Sequence, residues 1–189
     1  KAHPEVNEVI LSGGDPLMAD DQALSGLFVR LESVSSIHRL RIHTRLPIVI
    51  PERVTDTLCQ TIAATTLPVV MVLHSNHANE IDQSVMDAVS QLRAVCRSVL
   101  NQSVILKGIN DSADVLVALS ERLFEAGIDP YYLNVLDRVS GAHHFDVSDL
   151  EVAALHQALL NALPGYLVPK LVREVPGIGH KVQWKGTTH

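Results

Sequence analysis

Five short apolar runs recur along the chain: Val6 to Leu11, Leu40 to His43, Val69 to Leu73, Ser103 to Leu106 and Tyr131 to Leu136. They are rich in β-branched residues and nearly continuous, the pattern of parallel strands buried on both faces. Their centres lie roughly thirty residues apart, the length of one βα unit. Between them, apolar positions follow the helical period. Leu24, Leu27, Phe28 and Leu31 form one stripe, with Asp20 or Asp21 as its N-cap. Val54, Leu58 and Ile62 form a second behind Pro51, and Val85, Val89, Leu92 and Cys96 a third. Leu116, Leu119 and Leu123 form a fourth, closed by Gly127. Leu155, Leu159, Ala162 and Leu163 form a fifth, ended by Pro164-Gly165. Tyr166 to Val175 reads as extended. With no low-complexity stretch and no obvious linker, residues 1–189 read as a single α/β domain, either a doubly wound sheet or part of a βα barrel.

Both architectures put their chemistry beyond the carboxyl ends of the strands. The segments that fall there are the most polar of the sequence. Ser12-Gly13-Gly14-Asp15-Pro16-Leu17 follows the first strand. Its two glycines let a ligand approach the backbone closely, and Asp15 offers an acceptor to an ammonium or hydroxyl; a tight βα turn explains the same residues. His43-Thr44-Arg45 puts a cation at the next strand end, suited to a carboxylate or phosphate or to a salt bridge. His74-Ser75-Asn76-His77-Ala78-Asn79-Glu80 can line a polar cleft, bind a metal or start a helix. Asn101-Gln102-Ser103 leads into the fourth strand, and Asp111 or Ser112 caps the helix after it. Asp137 can anchor a cationic substrate, and His143-His144 follows it. Near the end, Arg173 to Lys181 forms a glycine-containing loop with a single lysine, and glycines give such a lysine mobility.

Bulk properties narrow the classes. The chain is 47% hydrophobic and 19% charged, as in ordinary globular domains. Its net charge of −6 argues against nucleic acid as the main partner. No apolar run is long enough to span a bilayer, and the start lacks the apolar core of a signal peptide. Cys59 and Cys96 form neither a CxxC pattern nor a disulfide framework; they read as buried thiols of a reducing cytoplasm. The chain begins at Lys1 rather than Met, which suggests a truncated amino terminus.

Taken together, EVILSGGDPLMADD, LRIHTRLPIVIPERVT, HSNHANEI, LNQSVILKGINDS, PYYLNVLDRVSGAHHF and GYLVPKLVRE resemble the radical S-adenosylmethionine (SAM) lysine 2,3-aminomutase family in order and spacing. The branch that makes β-lysine for modifying elongation factor P is the most similar. The resemblance implies a partial (β/α)6 TIM-like barrel of the radical SAM type, missing its first strand. It implies a cytoplasmic enzyme converting L-lysine to β-lysine with SAM, pyridoxal phosphate (PLP) and a [4Fe–4S] cluster. The family's CxxxCxxC cluster loop is not in this sequence, so the chain alone is expected to be inactive.

Carried over residue by residue, the resemblance makes Gly13, Gly14 and Asp15 the contact to the SAM methionine amine, and adds His74, Asn76 and Gln102 to the cofactor-binding set. Lys181, within a carboxy-terminal segment of about 166–189, becomes the PLP Schiff-base lysine. Asp137 and Glu174 become the pair holding the substrate's ε-ammonium; the family often has Asp where Glu174 stands. Residues 177–180 are less glycine-rich than in the metabolic aminomutases. Loss of a first strand would leave Val6 to Leu11 as an open edge that associates with another chain, or the chain is a homo-oligomer. Two other readings compete. One is a metal-dependent hydrolase with His43, His74, His77 and Asp137 as ligands; the other is a non-catalytic piece that binds SAM or PLP.

Overall fold

The computed structural model describes residues 3–137, 141, 143–175, 177–178 and 180–184. Parts of two expected loops therefore lie outside the described residues: 138–140 and 142 after the fifth strand, and Pro176, Gly179 and 185–189 within the carboxy-terminal segment. The strands follow one another in the sheet in chain order, β1 to β7. The chain divides into two compact units, Lys1–His74 with Ile81–Leu100 and Ala126–Ile128, and Ser75–Glu80 with Asn101–Glu125 and Asp129–His189.

The first unit contains β1 (Glu8–Leu11), α1 (Asp21–Glu32), β2 (Arg39–Thr44), α2 (Leu46–Val49), α3 (Asp56–Ala64), β3 (Val69–Leu73) and α4 (Gln83–Val95). β1 runs parallel to β2, from Glu8 opposite Arg39 to Leu11 opposite Ile42. β2 runs parallel to β3, from Leu40 opposite Val69 to Thr44 opposite Leu73. The apolar stripes face inward as their period dictates: Leu24, Phe28, Leu58, Ile62, Val85, Val89 and Leu92 are all buried. Each long helix opens on a side-chain cap. Asp20 accepts from Ala23 N, Thr55 from Leu58 N and Asp82 from Val85 N, each worth about 1 kcal/mol.

β4 (Ser98–Val104) begins in the first unit and ends in the second. The second unit continues with α5 (Ala113–Glu125), β5 (Asp129–Asn134), α6 (Asp149–Ala162), β6 (Lys170–Arg173) and β7 (Val182–Gln183). β5 and β6 are parallel, with Tyr132 opposite Lys170. β7 turns back antiparallel on β6, with Arg173 opposite Val182. The core here gathers Ile105, Leu116, Leu133, Val152, Leu159 and Leu171. α6 opens on a reciprocal capping box between Ser148 and Glu151.

The structure corrects several boundaries. The fourth strand starts at Ser98, five residues before the expected Ser103. Helix α4 ends early, at Val95, because Cys96 caps it and Arg97 N already donates to Val69 O. Cys96 is therefore a cap residue and not part of the helical stripe. Pro51 opens a separate short 3-10 turn, Pro51–Arg53, and α3 begins at Asp56 behind Thr55. The expected extended stretch from Tyr166 resolves into a 3-10 turn, Gly165–Leu167, followed by β6. Helix α2 and strand β7 carried no apolar period to announce them.

Both cysteines are unpaired thiols and half-buried. Burial pushes the Cys96 thiol up to about 12, with the nearby Cys59 adding to the rise. Burial also raises Cys59, followed by the charges of Asp56 and Asp21. The thiolate is the reactive form. Cys96 should thus alkylate with iodoacetamide at pH 8 at least about a hundredfold more slowly in the folded chain than in urea. Equal rates in the two conditions would show that the thiol is not buried as described.

Candidate functional site

In the first unit, the polar residues converge where β1 and β2 end. Gly13 and Gly14 take φ of +80° and +57° in succession, a left-handed conformation that a side chain would strain. A Cβ built on either would meet nothing within 4 Å, and both glycines are exposed. Asp15 then acts as a clamp. Its Oδ1 accepts from Leu17 N at 3.0 Å and from the hydroxyl of Thr44 at 2.6 Å. Its Oδ2 accepts from Arg45 N at 2.7 Å. One carboxylate thus ties the loop after β1 to the buried end of β2. Arg53 secures the far side of that loop, donating to Leu17 O, Ala19 O and Asp21. Arg53 carried no sequence signal: it is a lone arginine in a turn, and only the fold shows what it reaches. His43 and His74 meet edge to face at 5.7 Å between ring centroids.

In the second unit, a network of amides holds the segment after β3. Asn101, buried in β4, addresses both sides of Ser75: its Oδ1 accepts from Ser75 N and its Nδ2 donates to Ser75 O. The Ser103 hydroxyl donates to the same carbonyl at 2.8 Å. Asn76 Oδ1 accepts from Val104 N, and Asn76 O accepts from Asn110 Nδ2. Asn110, fully buried, also accepts from Leu106 N and donates to Val104 O. Glu80 accepts from the N–H groups of Asn76 and His77. The side-chain oxygen of Asn76 is therefore engaged by the backbone of β4. Gln102, half-buried, alternates along β4 with the buried Asn101 and Ser103. Ser112 rather than Asp111 caps α5, its hydroxyl accepting from Val115 N at 3.4 Å.

Three residues of the second unit come together around one ammonium. The antiparallel return of β7 on β6 sets Arg173 opposite Val182. That register brings their outer neighbours, Glu174 and Lys181, side by side. Lys181 Nζ donates to Glu174 Oε1 at 2.7 Å and to Asn134 Oδ1 at 2.8 Å. It also lies 5.9 Å from the ring centroid of Tyr132, within reach of a cation–π attraction. Arg173 braces the hairpin through a two-pronged pair with Asp149, 2.5 and 3.3 Å. Asp137 is exposed and makes no hydrogen bond or ion pair with a described residue. The partner of Glu174 here is Lys181.

Among the described residues, no group of three or more His, Cys, Asp or Glu side chains is placed to hold a metal ion. Among the same residues, no helix is long and apolar enough to cross a membrane.

The structure of Streptococcus suis SuiB bound to S-adenosylmethionine aligns with 89% of this chain and 39% of its own, at a TM-score of 0.61 and 15% identity. That likeness shows the fold alone, a partial βα barrel. No protein-family model matches the chain. L-lysine 2,3-aminomutase of Haemophilus influenzae is 54% identical over 180 residues, covering 95% of this chain and 53% of that protein. The Escherichia coli K12 enzyme is 53% identical over 176 residues, 93% and 52% of the two chains. The Buchnera aphidicola enzyme is 47% identical over 182 residues, 96% and 54%. These relatives match nearly the whole chain, and the chain spans about half of their length.

The clamp at Asp15 yields a stability test. Asp15→Ala removes the acceptor of three donors and should cost about 2–4 kcal/mol in urea unfolding. Asp15→Asn keeps one acceptor oxygen and should cost clearly less. Equal, negligible losses would mean that Asp15 does not hold the loop.

Proposed function

We propose that these residues form the SAM-facing and PLP-facing parts of an L-lysine 2,3-aminomutase, which interconverts L-lysine and β-lysine. The observation that carries the reading is the 53–54% identity to proteins of that name across nearly the whole chain. The elongation factor P link rests on the sequence resemblance.

The residues fit two of the three implied cofactors. The exposed Gly13 and Gly14, with open space where a side chain would stand, suit a close backbone approach by the amino-acid end of SAM. Asp15 retains one unused lone pair on Oδ2 among the described residues, enough for one ammonium donor. For PLP, the fit is an amine on a hairpin, held by side chains that can release it. The cluster is different. The two cysteines are half-buried, protonated thiols on separate helical segments, and they do not fit a cluster site. Its thiolates would come from elsewhere in the protein, and this chain alone would be inactive.

When bound, SAM would supply the radical and PLP would carry the migrating nitrogen. The chain's own residues bind and orient. Lys181 would hold PLP through its amine, and Glu174 Oε1, 2.7 Å from that nitrogen, orients it. Glu174, with Asp137 as the second carboxylate, would hold the ε-ammonium of the substrate. His74 in the first unit and Gln102 in the second would each face cofactor, while Asn76 acts through the backbone it holds.

The intact protein should convert L-lysine to β-lysine under anaerobic, reducing conditions with SAM, PLP and a reconstituted cluster. Borohydride reduction with PLP, followed by peptide mapping, should label Lys181. Unchanged lysine in the first assay would overturn the activity. Label on Lys107 or Lys170 instead would move the cofactor lysine elsewhere.

A further inference from the structure

The ammonium of Lys181 is held by two oxygens of different character. Glu174 is a charged partner whose side chain is 62% exposed, against 24% for Lys181. Attraction to a carboxylate so open to solvent is weakened and loosely oriented. Asn134 is the opposite: neutral, and fixed on every side. It is the last residue of β5, and its backbone carbonyl accepts from Ile105 N. Its Nδ2 donates to Ser103 O at 2.9 Å. That bond decides which way the amide faces, because the reversed amide would set oxygen against oxygen at Ser103 and NH2 against the ammonium at Lys181.

A second difference concerns the proton. The pull of Glu174 and the contact with the Tyr132 ring both depend on a positive charge. A hydrogen bond to an amide oxygen does not: a neutral amine still has N–H bonds to donate. Asn134 is thus a partner of Lys181 that keeps its hold when the amine gives up its proton and its lone pair becomes reactive.

We propose that Asn134 is the positioning residue for Lys181, receiving the amine when it is not joined to PLP and keeping it oriented for return. This rests on the reading of Lys181 as the PLP lysine. An unheld lysine side chain carries about 2 kcal/mol of rotamer entropy, so a fixed acceptor at the strand end shortens the search for the cofactor's carbonyl carbon.

Competitive acetylation with acetic anhydride, read by mass spectrometry on the intact protein, tests this without the cofactor. Lys107 and Lys170 serve as internal references. In Asn134→Ala, Lys181 should acetylate about three- to tenfold faster relative to them, the range that one hydrogen bond of ordinary net strength provides. Asn134→Asp separates the two bonds of the amide. It keeps an acceptor for Lys181 but cannot donate to Ser103, so it should lower urea stability while leaving Lys181 as protected as in the wild type. Should both variants lose stability with no change in the relative rate at Lys181, Asn134 is a sheet cross-link only and the proposal falls. A second arm measures PLP fixed by borohydride, whose incorporation at Lys181 should slow in Asn134→Ala. If wild-type Lys181 takes up no PLP at all, the cofactor reading fails, and the acetylation arm still decides whether Asn134 holds the amine.

Discussion

A peptide group that leaves a β-strand loses its ladder partner, and left unpaired in a buried turn it costs about 1–3 kcal/mol. The polar ends of these strands are organised around that cost. At the end of β1, one carboxylate, Asp15, accepts from two backbone N–H groups and from the buried Thr44 hydroxyl. After β3, Asn101 and Ser103 take both polar groups of Ser75, while Asn76 and Asn110 join that segment to the turn after β4. At the end of β5, Asn134 reaches back to Ser103 O. A side-chain amide suits this work because it carries a donor and an acceptor on one planar group, matching the peptide it replaces.

The same constraint decides what these residues have left for chemistry. Asp15 spends three of its four lone pairs on the fold, so any ligand amine it meets finds a carboxylate already fixed in place. Asn76 has its side-chain oxygen engaged by Val104 N and its backbone oxygen by Asn110 Nδ2, so the fold holds it from both groups. Asn134 is intermediate: half of its amide is structural and half faces Lys181. Stability and positioning are therefore shared by the same side chains, and a substitution at any of them should be read by both effects.

The apolar period revealed the alternation of strands and helices because burial on both faces leaves little choice at Val69 to Leu73 or along the α4 stripe. It failed at β4, where the inward positions are Asn101 and Ser103; a buried amide and a buried hydroxyl look like loop residues until their partners are known. The resemblance singled out Lys181 and Glu174, but not their contact, since seven residues of separation mean little until β7 folds back on β6. Asn134 stood in plain view within an apolar strand, yet its partners, Ser103 and Lys181, are 31 and 47 positions away. Contacts at such separations leave no trace in local spacing. Arg53, which binds carbonyls more than thirty positions away, is the same case.

Amide hydrogen exchange at Leu106 tests the central claim, that buried side-chain amides hold the loops at the strand ends. Leu106 N donates to Asn110 Oδ1 at 2.7 Å. Its exchange should be strongly slowed in the wild type and about ten- to a hundredfold faster in Asn110→Ala. Ser75, whose N–H is held by Asn101, should keep its protection in the same variant. A Leu106 amide that exchanges in the wild type as fast as in an open loop would contradict the account.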